Sequence, residues 1–214
     1  MLDAGVDEET IMGHLDLEAV RHAPLYPFRY YQAYNALQEA DVQAPAVERW
    51  LEDAIDVAVE KVPDGFGETF VAVDLSGSMD QRLSRNSTLR LKEIGALFGA
   101  ILADKGARVG GFGDDFQSVS MHVETPVLQR QQAILGIDED VGNSTNGWKA
   151  LEYLRDRDEA VERVIVFTDM QIWDSTPFAA RDDRTVKEDS TPIGTKSPRT
   201  LRCISSISRP TAIS

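Results

Sequence analysis

The chain is poor in cysteine, in lysine and in long apolar runs, and each shortage excludes something. Cys203 is the single cysteine among 214 residues, so no internal disulfide can form, and a reduced, cytoplasmic setting is the simplest expectation. No stretch approaches the ~18 uninterrupted apolar residues of a membrane span. The N-terminus, MLDAGVDEET, has no charged-then-apolar signal pattern. Only 6 of the 22 basic residues are lysine, against 36 acidic ones, for a net charge of −14. Such a surface opposes broad electrostatic capture of nucleic acid, DNA included. It also suits a salt-rich cytoplasm, which makes a halophilic source the expected one.

Several catalytic and cofactor patterns are missing as well. There is no Walker A loop, no dinucleotide fingerprint and no G-x-S-x-G; Gly110, Gly111 and Gly113 read as a strand-end turn. His14, His22 and His122 lack metal-ligand spacing and read as surface or packing residues. Asn86-Ser87-Thr88 and Asn143-Ser144-Thr145 match the N-glycosylation pattern, which in a cytoplasmic chain is a chance match.

What is present begins with Val71–Asp80, VAVDLSGSMD. An apolar strand (Phe70, Val71, Val73) ends and presents Asp74, Ser76 and Ser78 at alternate positions. One carboxylate and two hydroxyls form a hard, all-oxygen, weakly charged set. It suits a small divalent cation that keeps several waters, Mg2+ before Ca2+ or Zn2+. Gly77 lets the backbone turn between the serines.

Before this loop the chain reads as helical, from residue 1 to about 64. Pro45 suits a helix start. Val47, Trp50, Leu51, Ala54, Ile55 and Ala58 then follow an amphipathic helical period. Tyr30, Tyr31, Tyr34 and Leu37 predict a shorter helix entered through Pro24 and Pro27. The cluster Tyr26, Phe28, Tyr30, Tyr31 with Arg21 and Arg29 could stack on bases, but such clusters are more often packing surface.

Pro63, Asp64, Gly65 and Gly67 mark a turn, after which the period changes. The pattern predicts a helix over about 89–104, a strand over 107–112 and a turn at 113–115. An antiparallel edge strand through Val119, Met121 and Val123 follows. Then come a short helix from Pro126 to about Leu135, a helix over 147–157 and a strand over 163–168. This alternation implies a mostly parallel sheet wrapped by helices. Ligands of such sheets bind beyond the carboxyl ends of the strands. Asp74 and Asp169 both lie just past strand ends, so the topology lets them meet.

The pattern D-x-S-x-S resembles the metal-ion-dependent adhesion site of von Willebrand factor A domains. That resemblance implies a Rossmann-like fold. It also implies a metal site built from Asp74, Ser76 and Ser78, with Thr145 in GNSTNGWKAL and Asp169 after VIVFT as the distal threonine and aspartate. Hydroxyls of Ser76, Ser78 and Thr145 would reach the cation, Asp74 and Asp169 would bind it or hold its waters, and an acidic side chain of a partner would complete the shell. Pro24–Leu37 (PLYPFRYYQAYNAL) ahead of VAVDLSGSMD, together with Val166–Asp174 (VFTDMQIWD), resembles Ro-type ribonucleoproteins, in which a TROVE module of helical repeats is closed by a von Willebrand A domain. This implies a role in small non-coding RNA complexes and RNA quality control, with no catalysis. An intact ring would bind the RNA, and about 65 residues are too few for one.

The expected organisation is therefore a helical segment at 1–64, the end of a TROVE-like module, and a von Willebrand A-like domain at 65–175. An irregular basic tail rich in Ser, Thr and Pro follows at 176–214. Thr191–Ser214 holds four basic residues and no acidic one. That abrupt change is read as a truncation or a shifted frame, against a variant end. The competing functional readings are a metal-assisted hydrolase or phosphatase with Asp74 as nucleophile, and a gene fragment without function. The first wants a second aspartate two residues on, where Ser76 stands.

Overall fold

The computed structural model describes residues 7–40, 43–85, 87–122 and 124–169. The tail at 176–214, Cys203 and the end of the VFTDMQIWD segment lie outside the described residues. The chain divides into two compact units, Met1–Pro63 with Pro126–Leu128, and Asp64–Thr125 with Gln129–Ser214.

Among the described residues the first unit contains the helices α1 (Glu8–Met12), α2 (Leu17–His22), α3 (Pro27–Glu39) and α4 (Pro45–Val59). Their starts are legible in local chemistry. Asp7 and Asp16 accept the free amides of Thr10 and Glu18 at 2.8 and 2.9 Å. α3 and α4 open on proline, whose missing N–H is no loss in a first turn. The α4 entry gains a tertiary cap: Glu8 Oε1 accepts the Ala46 and Val47 amides at 2.6 and 3.2 Å. At the opposite pole, Lys61 Nζ donates to the carbonyls of Val20, Ala23 and Leu25 at 2.6, 2.9 and 2.9 Å. An acidic group at a helix start and an ammonium at a helix end both complement the backbone dipole. The apolar stripe of α4 is buried as its spacing predicts (Val47, Leu51, Ala54, Ile55, Ala58). It packs with Ile11, Met12, Tyr34, Leu37 and Trp50 around Ala44, Val47 and Leu51.

The aromatic cluster splits. Tyr30 and Tyr31 are buried, and Tyr30 meets Trp50 edge-on at 6.3 Å between ring centres. Arg21 is held by Glu18 and Glu60 at 2.9 and 3.0 Å. Tyr26 stays exposed. Two of its four aromatics, Tyr30 and Tyr31, are packing surface.

The second unit is built on β1 (Thr69–Asp74), α5 (Leu91–Asp104), β2 (Arg108–Phe112), β3 (Phe116–Val119), α6 (Val127–Leu135), α7 (Asp138–Val141), α8 (Trp148–Asp156) and β4 (Arg163–Phe167). The sheet order is β3-β2-β1-β4. β1 pairs in parallel with β2 and with β4, and β3 runs antiparallel to β2. Every residue of β1 is buried, as a central strand covered on both faces must be. Its alternation sorts the layers. Phe70 and Ala72 pack with Ala150, Leu151 and Leu154 of α8. Val73 faces Gly95 and Gly99 of α5, where an added Cβ would come within 3.3 and 3.1 Å of its methyls. The small residues of α5 thus set how closely it lies on the sheet. This is a Rossmann-like α/β fold, a mostly parallel sheet with one antiparallel edge strand and helices packed on it.

Three details depart from the sequence pattern. The antiparallel edge strand is Phe116–Val119, not a strand through Val119, Met121 and Val123. The hairpin turn at 113–115 pairs Phe112 with Phe116 and Val109 with Val119. β2 begins at Arg108, so Met121 has no strand left to pair with; Val123 lies outside the described residues. A 3-10 turn, Gly77–Asp80, follows the serine loop, and α7 precedes Gly142; neither is long enough to show a period. Among the described residues no helix is long and apolar enough to cross a membrane.

Candidate metal centre

Because β1, β2 and β4 are parallel, their carboxyl ends lie on one side of the sheet. Asp74 is the last residue of β1, and Leu75 N–H donates to Phe112 O at 2.9 Å, holding the β1 and β2 ends together. The Asp74 carboxylate is fully buried. Its Oδ1 accepts the Ser76 amide at 3.0 Å, and its Oδ2 accepts Thr168 Oγ1 at 2.7 Å. Ser76 Oγ and Ser78 Oγ lie 3.1 Å apart. Ser76 is buried, while Ser78 is half-buried beside exposed Gly77. The serine loop therefore opens to solvent on one side and rests on a buried carboxylate on the other.

Burial pushes Asp74 above the usual carboxylate range, against the hydrogen bonds from Ser76 and Thr168, and the negative charge of Asp169 pushes the same way. Two carboxylates close enough to interact, one of them desolvated, favour either a proton or a cation between them. The described donors to Asp74 are an amide and hydroxyls.

Thr145 arrives on the segment after α7. Asn143 O accepts the Gly77 amide at 3.1 Å, which ties this segment to the serine loop. Asp114 secures it from the β2 end. Its Oδ2 accepts the Asn143 amide and its carbonyl accepts Asn146 Nδ2, both at 3.1 Å. The Asn146 amide donates to Gly113 O at 2.9 Å. Gly142 makes the turn with φ 79° and ψ −176°, a conformation nearly confined to glycine. A Cβ there would overlap the Asp114 carboxylate. Thr145 is buried, and the neighbouring Asn146 Oδ1 is a buried acceptor with no hydrogen-bond partner among the described residues.

Of the five residues singled out in the sequence, Ser76 is hydrogen-bonded both to Asp74, through its amide, and to Ser78, through its hydroxyl. Asp169 lies within electrostatic reach of Asp74. Thr145 is brought to the same end of the sheet through Asn143 and Gly77. The pattern did not expose Thr168, Asp114 or Gly142. Thr168 reads as an ordinary strand residue until its hydroxyl is seen on Asp74. Asp114 and Gly142 read as turn residues, and their partnership is tertiary. The three histidines are exposed; His22 Nε2 lies 3.2 Å from Glu18.

No family model matches the sequence. No curated protein matches it either. Among solved structures, the chain is similar to the crystal structure of the Ro (RSR) protein of Deinococcus radiodurans, with a TM-score of 0.58 and 19% sequence identity. The likeness is one of fold. It covers 74% of this chain and 34% of the other, so the chain spans about a third of that protein's length.

Proposed function

We propose that the second unit is a Mg2+-dependent binding module of a Ro-type protein. The observation that carries this reading is the pairing of a fully buried carboxylate, Asp74, with two hydroxyl oxygens 3.1 Å apart at the carboxyl end of a parallel sheet. Adjacent ligands of an octahedral Mg2+ with metal–oxygen distances near 2.1 Å lie about 3 Å apart. The spacing of Ser76 Oγ and Ser78 Oγ fits that requirement. Among the described residues no group of three or more His, Cys, Asp or Glu side chains gathers. The candidate donor set is hydroxyl-rich and suits a hard cation that keeps water.

In this reading Ser76, Ser78 and Thr145 offer hydroxyls, while Asp74 and Asp169 bind the cation or hold its waters. When bound, the cation supplies a positive, oxygen-seeking point on an otherwise acidic surface. That allows capture of an acidic group of a partner protein, which the chain's net charge of −14 would otherwise repel. Small non-coding RNA is the partner that the Ro resemblance implies, in a cytoplasmic particle. RNA binding belongs in this proposal to an intact ring of helical repeats, of which residues 1–64 would be the end. A nucleophilic role for Asp74 has weaker support, because both of its oxygens are engaged by hydrogen bonds beneath the loop.

Calorimetric titration of MgCl2 into the wild type beside Asp74→Ala tests the site, with circular dichroism confirming that both fold. Saturable binding to the wild type alone is expected. Equal binding to both, or none to a folded wild type, overturns the assignment. A gel-shift assay with a structured small RNA tests the second part, with binding by this chain alone counting against placing RNA recognition in an intact ring.

A further inference from the structure

Lys92 sits in the first turn of α5 with only 14% of its side chain exposed. Its Nζ lies 2.7 Å from Asp80 Oδ1 and 2.6 Å from Asp138 Oδ2. The two carboxylates belong to different arms of the candidate site. Asp80 closes the 3-10 turn that starts at Gly77 and contains Ser78. Asp138 opens α7, which ends at Val141 and runs through Gly142 and Asn143 to Thr145. Arg90 Nη1 also reaches Asp80, at 3.0 Å, so the serine arm is anchored at the start of α5 by two cations. Among the described residues the two arms are also tied by the 3.1 Å bond from Gly77 N–H to Asn143 O.

We propose that Lys92 is a positioning residue that clamps the Ser76–Ser78 arm to the Thr145 arm, so that hydroxyls from two distant parts of the chain keep the spacing one cation requires. The inference rests on the metal-site reading above. Asp80 is 42% exposed and Asp138 28%, and pairs that open to solvent contribute little to folding. What they contribute here is geometry. Groups that orient ligands without binding the ion are typically worth 10–100-fold in metal affinity. A purely electrostatic role predicts the opposite sign. Removing a lysine near a cation site leaves Asp138 without that partner and Asp80 with Arg90 alone, and the added negative charge would strengthen Mg2+ binding.

The test is calorimetric titration of MgCl2 into the full chain as wild type, Lys92→Met and Lys92→Arg. Amide hydrogen exchange is followed in the same metal-free samples, with Asp138→Asn as a second route to breaking the clamp. Lys92→Met is expected to weaken Mg2+ binding about ten-fold, and Lys92→Arg to restore most of it. Exchange should quicken in both arms, Gly77–Asp80 and 138–145. Unchanged or tighter Mg2+ binding by a folded Lys92→Met overturns the proposal. Should Lys92→Met fail to fold, Asp138→Asn decides on the same exchange readout, with unchanged exchange overturning the clamp. A wild type that does not bind Mg2+ defeats the metal reading instead. The clamp is then judged on exchange alone, upheld if both arms quicken and overturned if either does not.

Discussion

Thr168 Oγ1 donates a 2.7 Å hydrogen bond to Asp74 Oδ2, joining the ends of two parallel strands across 94 positions of sequence. Both side chains are fully buried. Asp74 leaves β1, Thr168 follows β4, and the register that pairs Val73 with Phe167 puts them side by side. The bond holds the carboxylate beneath the serine loop and satisfies one of its oxygens where water does not reach.

Thr168→Val removes that donor while keeping the shape. Hydrogen bonds to charged groups are worth about 1.5–3 kcal/mol, and a destabilisation of that order is expected in urea denaturation. Thr168→Ser should recover much of it. Equal midpoints for Thr168→Val and wild type would show that the bond contributes nothing.

Asp74 also sets a pH dependence in the metal-free chain. Burial raises its folded pKa above the ordinary value of 3.8. Between 3.8 and that raised value the native state holds more protons than the unfolded one. The contribution of Asp74 to stability therefore falls as pH rises through that window. Asp74→Asn cannot titrate and should lose this component. The readout is the difference between the two proteins' urea midpoints over a pH series in EDTA. It should shift in favour of Asp74→Asn as pH rises, and a flat difference would contradict the raised pKa.

Gly142→Ala should be strongly disruptive for two reasons that act together. Its φ of 79° with extended ψ strains any residue with a Cβ, and that Cβ would overlap the Asp114 carboxylate. Strain of this kind costs about 1–3 kcal/mol. We expect a lower Tm, and faster amide exchange at Asn143, whose N–H is held by Asp114. A Tm equal to wild type would mean that the turn relaxes freely.

Lys61→Met should weaken the helical unit. The ammonium satisfies three carbonyls around the end of α2, and the substitution leaves them without that donor while keeping the aliphatic stem. A loss of about 1–3 kcal/mol is expected. It should be read in exchange protection of α2, with the protection of β1 as an internal control. Loss of protection in β1 alone would contradict the assignment.

The helices of the first unit were legible because α4 repeats its apolar residues at the helical period and opens on Pro45. The central strand was legible because Phe70–Val73 is an unbroken apolar run that ends abruptly in polar residues. The edge strand was misplaced because alternation at Val119, Met121 and Val123 looks the same whether or not a partner strand lies beside it. Only the length of β2 and the tightness of the 113–115 turn decide which residues pair. Trp148–Asp156 was foreseen from its apolar spacing, whereas the four-residue α7 is too short to carry a period.

The same division runs through the candidate site. Asp74, Ser76 and Ser78 fall within five consecutive positions of one loop, so their convergence is a local property of a strand end and a glycine turn, and the sequence by itself determined it. The roles of Thr168, Asp114, Gly142 and Lys92 depend on which segments the sheet brings to its carboxyl edge. The strand order β3-β2-β1-β4, which sets β1 between β2 and β4, does that, and the tertiary structure alone decided that order. A hydrogen bond of 2.7 Å between residues 94 apart has no local signature, because what brings its two ends together is the packing of everything in between.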